Sequence, residues 1–395
     1  MSFFETLDLL PEDPILFVPF LFAADSRPNK IDLSLGVYQD DQGRLTLLEC
    51  VRLAEQEILK KNLPKKYPPI DGNLDFRNAT LKLIFGDDID LESVYTAQTI
   101  GGSGALRVAG ELLRQEGSRD LFLPDPTWPN HKLIFKNAGM NLQYCPYYGE
   151  QSHVFEFDKM CKFIKTMPKG STLLLQASCH NPTGCDPTNE EWKEISGLLL
   201  KQKVTPFFDF AYHGFGGALE DDAAAVRYFY EQGHELLLAY SFSKNMGLYG
   251  ERIGLFVATP KKPDTRMKIA SQVKQLIRGM YSMPPIHGAQ IVQTVLNTPT
   301  LRNLWVEELS SMRTRIEKLH LDLAEALEKA TGKDFSFLRR QKGLFSFCGL
   351  TETDVLRLRE ENAIFIPSNG RINVAGLNPR TFEHVINSLC LRFRE

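Results

Sequence analysis

The chain has 395 residues, of which 43% are hydrophobic and 24% charged, and its formal net charge is −3. This length allows about two to three domains with a large core, and this charge gives no indication of nucleic acid or an anionic membrane as a partner. The seven cysteines include no CxxC pair and fit neither a disulfide framework nor a zinc ribbon, so a reducing compartment is expected.

The first segments lack the features of a targeting or membrane-spanning sequence. No lysine or arginine precedes Arg27, whereas a secretory signal begins with basic residues. The apolar run Pro14–Ala24 contains two prolines and is too short to cross a bilayer. A soluble, cytoplasmic protein with no membrane partner is therefore predicted.

Between residues 75 and 260, short apolar runs alternate with helical patterns. Continuous apolar runs separated by helices indicate strands that are buried on both faces, and therefore a mostly parallel α/β sheet. Sheets of this kind bind their ligands where the strands end. Helices are predicted from Ala105 and over Trp192–Gln202. The predicted strands are Ser93–Ile100, Ser171–Ser178, Val204–Phe210, Glu235–Tyr240 and Arg252–Thr259.

The pattern changes near residue 300, where apolar residues recur every three or four positions up to Leu327. This spacing predicts one long amphipathic helix that ends near Gly332. The segments Gly343–Leu350 and Asn362–Gly376 are then expected to contribute strands to a smaller α+β unit.

A glycine-rich segment, Gly101–Gly110, follows the first predicted strand. The backbone N–H groups of such a turn can bind phosphate at the start of a helix. The segment lacks the third glycine of a GxGxxG motif, however, and it also fits a simple tight turn. Ser241, Ser243 and Arg252 are further candidate phosphate ligands, with capping serines and a surface arginine as the alternative.

Other strand ends have residues that suit a flat, charged ligand. Asp209 interrupts an apolar strand near Tyr212, where a carboxylate either meets a polar partner or has a structural role. Trp128 is either a core residue or a stacking surface for an aromatic ring. Asn181 follows a strand in a turn that contains proline and glycine. His180 and the cysteines near it match no zinc spacing, so no metal site is predicted.

Lys244 comes just after the strand Glu235–Tyr240, with Ser241 and Ser243 before it and Arg252 after it. At this place a lysine is either one more counter-charge for an anion or a nucleophile. Together the candidates require a ligand that is aromatic, phosphorylated, basic at a ring nitrogen and able to bond covalently to lysine. Pyridoxal phosphate has all of these properties.

The segments NPTG (Asn181–Gly184), DFAYHGF (Asp209–Phe215) and SFSKNMGLYGERIG (Ser241–Gly254) resemble those of fold-type-I pyridoxal-phosphate enzymes, specifically the class I aspartate/aromatic amino acid aminotransferases. Further matching segments extend the resemblance from Asp13 to Leu377. The resemblance implies an α/β fold with a mostly parallel seven-stranded sheet in a large domain, plus a smaller α+β domain. It also implies an N-terminal arm (1–12), a small domain built from 13–45 and 311–395, and a large cofactor-binding domain over 46–310.

The resemblance implies a role for each candidate. Lys244 looks like the lysine that forms a Schiff base with the cofactor and then moves the proton. Asp209 resembles the partner of the pyridinium N–H, and His131 resembles the residue that supports it. Tyr212 and Asn181 resemble the pair that hydrogen-bonds the phenolate oxygen of the ring. The ring-stacking residue and the phosphate ligands correspond to Trp128, Gly102, Ser103, Ser241, Ser243, Arg252 and, from a neighbouring subunit, Tyr67.

Two arginines match the residues that bind the substrate. Arg371 matches the residue that pairs with the α-carboxylate, and Arg278 matches one that reaches across a dimer to a side-chain carboxylate. Gly36 matches a backbone position against the substrate, where Trp128 and Asn181 also take part. The resemblance therefore implies a homodimer with shared active sites, acting on amino acid and 2-oxo acid substrates. It also implies that the amino group of aspartate, tyrosine or phenylalanine passes to 2-oxoglutarate by a ping-pong mechanism.

Three positions depart from the usual pattern of the family: Gln176 replaces a common histidine, Phe210 a common small residue, and Met283 an asparagine. Because a thioether cannot replace the hydrogen bonds of an amide, Met283 leaves open the preference between dicarboxylic and aromatic donors. A lyase or decarboxylase on the same fold is one alternative. A nucleotide-binding oxidoreductase would not explain the lysine, aspartate and tyrosine set, and a DNA-binding regulator would need a basic segment.

Overall fold

The computed structural model describes residues 2–115, 117 and 120–394. Its strands are β1 (Ile31–Asp32), β2 (Tyr95–Ile100), β3 (Asp120–Asp125), β4 (Asn141–Pro146), β5 (Thr172–Gln176), β6 (Thr205–Phe210), β7 (Leu236–Ser241), β8 (Ile253–Thr259), β9 (Phe345–Phe347), β10 (Ile364–Phe365) and β11 (Arg371–Asn373). Its α-helices are α1 (Val18–Ala24), α2 (Glu49–Lys61), α3 (Leu74–Phe85), α4 (Gly101–Gln115), α5 (Pro129–Asn137), α6 (Phe157–Ile164), α7 (Asn189–Gln202), α8 (Leu219–Glu231), α9 (Pro263–Met280), α10 (His287–Asn297), α11 (Pro299–Thr331), α12 (Glu352–Asn362) and α13 (Phe382–Arg394). Short 3₁₀ turns cover Phe3–Thr6, Ser336–Arg340 and Val374–Gly376.

The central sheet has seven strands in the order β2-β8-β7-β6-β5-β3-β4. Strand β8 runs antiparallel to both of its neighbours, and the other neighbouring pairs are parallel. The prediction of a mostly parallel seven-stranded sheet is therefore confirmed. Because β8 is reversed, its first residue lies at the edge where the parallel strands end. Residues before β8 and after β5, β6 and β7 thus meet at one edge of the sheet.

The inner strands of the sheet are buried on both faces, whereas the edge strand β4 is mostly exposed. Every residue of β5, β7 and β8 is buried, as their continuous apolar sequences predict. Successive side chains enter two separate apolar clusters: Phe208 and Leu238 belong to one, and Phe207 and Ala239 to the other. The sheet is therefore a rigid base for the residues at its edge.

The helix after β2 begins at Gly101 and not, as predicted, near Ala105. Gly101 has a left-handed φ of +65°, and its N–H donates to the carbonyl oxygen of Arg252 at 2.9 Å. Glycine adopts this conformation without strain, so the chain passes directly from strand to helix. The glycine-rich segment therefore belongs to α4, and Gly101, Gly102 and Gly104 lie in its first turn.

The long helix predicted for the C-terminal part is α11, which has 33 residues. Gly332, with a left-handed φ of +71°, ends it as expected. Neither this helix nor any other in the described part of the chain combines the length and apolarity needed to cross a membrane. The buried face of α11 includes Leu309, Met312, Ile316, Leu323 and Leu327.

The described residues also form two small sheets. β9 pairs antiparallel with β11, and β1 pairs parallel with β10. The second pairing brings residues 31–32 next to residues 364–365, so segments from both ends of the chain lie together. Residue 310, the predicted end of the large domain, lies within α11. The domain division stays a prediction.

Candidate active site

A cavity of about 250 Å³ lies at the edge of the central sheet where the parallel strands end. Its walls include the ends of β5, β6 and β7, the residue before β8 and the first turn of α4. Most of the predicted site residues line it, namely Gly36, Gly102, Ser103, Trp128, Asn181, Asp209, Tyr212, Ser241, Ser243, Lys244, Arg252 and Arg371.

One end of the cavity is built to hold an anion. Nη1 of Arg252 donates to Oγ of Ser243 at 3.3 Å, and the N–H of Ser243 donates to Oγ of Ser241 at 3.2 Å. A Cβ atom on Gly101 would lie 2.5 Å from Nη2 of Arg252, and one on Gly102 would lie 3.1 Å from Cβ of Ser241. Backbone N–H groups, two hydroxyls and a guanidinium thus surround one space, and this donor set suits a phosphate dianion.

Asp209 is the next-to-last residue of β6 and is 7% exposed. Its Oδ2 atom is hydrogen-bonded to Nε2 of His131 at 3.0 Å, and Nδ1 of His131 is bonded to Oγ1 of Thr127 at 2.8 Å. His131 is buried, and its ring lies at the edge of the Trp128 ring. These bonds fix the orientation of the carboxylate, which can therefore accept a hydrogen bond from a ring N–H in the cavity.

Lys244 follows β7 and reaches into the cavity. Its Nζ atom lies 5.9 Å from the ring centroid of Tyr212 and 5.7 Å from that of Tyr249. Burial lowers the pKa of Lys244 to about 8; the positive charge of Arg252 adds to this shift, and the negative charge of Asp209 opposes it. A lysine with such a pKa has enough neutral amine near pH 7 to act as a nucleophile and as a base.

Arg371, Asn181 and Tyr212 are joined by hydrogen bonds. Nη1 of Arg371 donates to Oδ1 of Asn181 at 3.0 Å, and Nδ2 of Asn181 donates to the hydroxyl of Tyr212 at 3.4 Å. Nη2 of Arg371 donates to the carbonyl oxygen of Ser34 at 2.6 Å, and its guanidinium carbon lies 4.0 Å from the ring centroid of Phe345. Arg371 is 2% exposed, and within the described residues its Nε atom has no hydrogen-bond partner. A buried guanidinium with an unused donor suits a carboxylate ligand.

Gly36 lies against the ring that packs on this arginine. A Cβ atom on Gly36 would lie 2.7 Å from Cζ of Phe345. Space for this ring therefore requires glycine here, in addition to the space that the resemblance assigns to the substrate.

Gln176, one of the departures from the family pattern, holds the backbone of Asn181. Its Oε1 atom accepts the Asn181 N–H at 2.9 Å, and its Nε2 atom donates to the Asn181 carbonyl oxygen at 3.0 Å. Gln176 lines the cavity and lies opposite Asp209 on the neighbouring strand. This role was not predicted from the sequence, although a polar residue at the end of a buried strand is a usable signal. Phe210, another departure, packs on the ring of Tyr240 at 5.4 Å in the core.

Three residues tied to substrate or phosphate binding lie outside the cavity of this chain: Tyr67, Arg278 and Met283. Tyr67 is 86% exposed. Arg278 is exposed at the end of α9, where Nη1 donates to Oγ of Ser282. The structure thus separates these residues from the group that a single chain brings together.

Comparisons with known proteins agree with this arrangement. Residues 28–389 match the family model for aminotransferases of class I and II. The chain is 42% identical over 381 residues to an aspartate aminotransferase of Escherichia coli (strain K12), which covers 95% of this chain and 96% of that protein. Among solved structures, an aromatic-amino-acid aminotransferase from Burkholderia pseudomallei, covalently bound to pyridoxal phosphate, has a TM-score of 0.96, 40% identity and 100% coverage of both chains. An aromatic amino acid aminotransferase from Psychrobacter sp. B6, cocrystallised with aspartic acid, has a TM-score of 0.96 at 38% identity, covering 99% of this chain and 100% of that one. The chain therefore belongs to the class I and II aminotransferases.

Proposed function

We propose that this aminotransferase uses pyridoxal phosphate to move the amino group of aspartate, tyrosine or phenylalanine to 2-oxoglutarate by a ping-pong mechanism. The observation that carries the proposal is that Lys244, Asp209 and Arg371 meet in one cavity. Transamination requires a nucleophilic amine, a carboxylate for the ring nitrogen of the cofactor and a cation for the substrate carboxylate. The names of the relatives, aspartate and aromatic amino acid aminotransferases, support both classes of donor.

The residues of the cavity fit this cofactor. Ser241, Ser243 and Arg252, with the first turn of α4, suit its phosphate. Asp209 suits its ring nitrogen, and Trp128 offers an aromatic face for its ring. When bound, pyridoxal phosphate supplies an aldehyde that condenses with amines and a ring that withdraws electrons from the substrate Cα.

In this proposal Lys244 bonds to the cofactor through a Schiff base. Once a substrate amine has displaced it, its amine moves a proton between the substrate Cα and the cofactor carbon, and its lowered pKa keeps part of the amine neutral for that task. Asp209 holds the proton on the ring nitrogen. Tyr212 and Asn181 hydrogen-bond the phenolate oxygen, and Arg371 binds the α-carboxylate and orients the Cα–H bond.

We also propose a homodimer with shared active sites. The exposure of Tyr67 leaves its hydroxyl accessible to a phosphate in a second copy, and the exposure of Arg278 makes it accessible to a substrate side chain there. The N-terminal segment presents apolar side chains to solvent, since Phe3 and Phe4 are each 76% exposed and Leu9 is 100% exposed. Apolar surface of this kind is typical of a segment that packs on another copy.

The cytoplasm stays the predicted location of the enzyme. The support comes from cysteine usage: Cys145, Cys179 and Cys348, for example, are buried thiols, as expected in a reducing compartment.

An absorption titration tests the proposed function. Protein loaded with pyridoxal phosphate is expected to show a band near the visible range that shifts with pH and disappears when glutamate is added. Lys244→Ala is expected to lose the pH-dependent band, and Lys201→Ala, which changes an exposed lysine of α7, is expected to keep it. A wild-type protein that neither contains nor takes up pyridoxal phosphate contradicts the proposal.

A further inference from the structure

Two residues that meet at the cavity are carried by irregular loops. Asn181 lies in the loop between β5 and α7, and Tyr212 lies in the loop between β6 and α8. Outside helices and strands, other groups must supply the hydrogen bonds that fix the backbone. Two acidic residues behind the cavity, Asp186 and Asp222, do this for the two loops.

Asp186 closes the loop of Asn181. Its Oδ2 atom accepts the N–H of Cys179 at 2.7 Å, and its Oδ1 atom accepts the N–H of His180 at 2.9 Å. These two residues directly precede Asn181. Cys179 has a left-handed φ of +54°, which an L-residue adopts only when its surroundings favour it. The carboxylate thus stabilises the bend that sets the direction of the chain into Asn181.

Asp222 closes the loop of Tyr212 from the first turn of α8. Its Oδ2 atom accepts the N–H of Gly214 at 2.7 Å and that of Gly216 at 3.1 Å. On the other side of this loop, Nη1 of Arg313 donates to the carbonyl oxygen of Gly214 at 3.2 Å. The backbone just after Tyr212 is therefore held from both sides, by the side chains of Asp222 and Arg313.

The two carboxylates belong to one cluster beneath the loops. The position that a Cβ atom would take on Gly216 is 2.8 Å from Oδ1 of Asp222 and 3.1 Å from Sγ of Cys179. Burial raises the pKa of Asp222 to about 7. The charge of Asp186 adds to this rise, whereas the backbone N–H groups and the charge of Lys342 oppose it. The hydrogen bonds from the loop N–H groups thus stabilise the ionised form of Asp222.

We propose that Asp186 and Asp222 are positioning residues, which fix the two loops so that Nδ2 of Asn181 and the hydroxyl of Tyr212 meet beside Lys244. This inference rests on the proposed function, in which that pair hydrogen-bonds the phenolate oxygen of the cofactor. A displaced pair stabilises the phenolate less, so the phenolate retains the proton of the Schiff base more strongly. The pKa of the Schiff base then rises.

The test is an absorption titration of the holoenzyme with Asp222→Asn and Asp186→Asn. Each variant is expected to raise the pKa of the Schiff base by about 0.5–1 unit, the size expected when a hydrogen bond of ordinary strength is weakened. The matched control is Asp221→Asn, which replaces a carboxylate in the same turn of α8. Among the described residues, Asp221 accepts the N–H of Ala218 at 3.1 Å, while the N–H groups of Gly214 and Gly216 donate to Asp222. A pKa in the two variants equal to that of the control overturns the proposal.

A second background separates positioning from a general loss of stability. In Tyr212→Phe, the further change Asp222→Asn is expected to shift the pKa of the Schiff base much less than it does in the wild type, because the group it positions is gone. An undiminished shift overturns the assignment for Asp222.

Hydrogen exchange of the wild-type holoenzyme tests the same geometry without a substitution. The amides of Cys179, His180, Gly214 and Gly216 are expected to be protected although they lie outside helices and strands, and rapid exchange at these amides overturns the proposal. A wild type with protected amides but no titrating band instead contradicts the proposed function and leaves the loop assignment supported.

Discussion

The residues assigned to the cofactor and the α-carboxylate differ sharply in setting from those assigned to the substrate side chain and the second subunit. Asp209 and Arg371 are 7% and 2% exposed and are held by neighbours in the same chain, whereas Tyr67 is 86% exposed. Arg278 is also exposed. In the proposed function, one chain thus provides the groups for the reaction itself, whereas Tyr67 and Arg278 would bind the phosphate and the substrate side chain in a second copy. The effects of substitutions in the two regions should therefore differ in kind as well as in size.

The largest effect is expected in the buried region, from Lys244→Ala. Loss of the nucleophile and proton carrier should lower kcat/KM by about 10⁴-fold or more for aspartate and phenylalanine alike. Steady-state kinetics with 2-oxoglutarate as acceptor measures this, with Lys201→Ala as control. Activity within about tenfold of the wild type would place the base elsewhere.

Arg278→Ala and Arg371→Ala compare the exposed and the buried region most directly, because each removes one arginine assigned to a substrate carboxylate. Removing the partner of a buried carboxylate costs about 3–5 kcal/mol, so Arg278→Ala should lower kcat/KM for aspartate and glutamate by about 10²- to 5 × 10³-fold. Aromatic donors should lose much less, because they have no second carboxylate. Arg371→Ala, in contrast, should affect all donors to a similar extent. Equal losses for aspartate and phenylalanine in Arg278→Ala would count against its assigned role.

A third prediction concerns the cost of burying Lys244. The folded protein lowers the pKa of this lysine from 10.5 to about 8, so below pH 8 folding brings a charged amine into an unfavourable site. This cost decreases as the pH rises from 8 to 10.5, because the amine of the folded protein is then neutral. In the cofactor-free protein, Lys244→Met should raise the free energy of unfolding by about 2–3 kcal/mol at pH 7 and by less than half as much at pH 9.5. Urea unfolding at both pH values measures the difference. A gain that does not shrink with pH would contradict it.

The smallest effect is expected in the exposed region, from Tyr67→Phe. One hydrogen bond to a charged group such as phosphate is worth about 1.5–3 kcal/mol, so the Kd for pyridoxal phosphate should rise about 10- to 150-fold. Tyr144→Phe, at a tyrosine that is 41% exposed and outside the cavity, is the control. Since the hydroxyl is assigned to the neighbouring subunit, mixed dimers of Tyr67→Phe with Lys244→Ala should contain one intact phosphate site. A Kd unchanged by Tyr67→Phe would remove the strongest support for shared sites.

Much of the fold follows from local patterns. Continuous apolar runs predicted the buried strands, and the spacing of apolar residues predicted α11, because both depend on residues close in sequence. The reversed direction of β8 and the start of α4 at Gly101 depend on pairing between distant segments, here the bond from Gly101 to Arg252.

The same distinction between local patterns and distant contacts applies to the candidate site. The motifs gave the residues that line the cavity, but the roles of Gln176, Asp186 and Asp222 arise from side chains that reach back to loop backbone. Such contacts depend on the folded path of the loop. This path includes the left-handed turn at Cys179, and a cysteine in the sequence does not indicate such a turn. For Tyr67 and Arg278, the partners that we propose belong to a second copy of the chain.

The reversed strand β8 has a mechanical consequence. Ser241 at the end of β7 pairs with Gly254 near the start of β8, so the segment between them leaves the sheet and returns to it at one point. Lys244 and Arg252 are both on this closed loop, within three residues of an anchor. The sheet therefore anchors both ends of the loop, and its middle contacts other segments, where Nε1 of Trp305 donates to the carbonyl oxygen of Asn245 and the N–H of Tyr38 donates to the hydroxyl of Tyr249 among the described residues. In the proposed mechanism, a shift of β11 with Arg371 would change how the substrate is bound and leave the two anchors of Lys244 and Arg252 in place. A residue added to this loop or deleted from it would instead change the spacing of Lys244 and Arg252 directly.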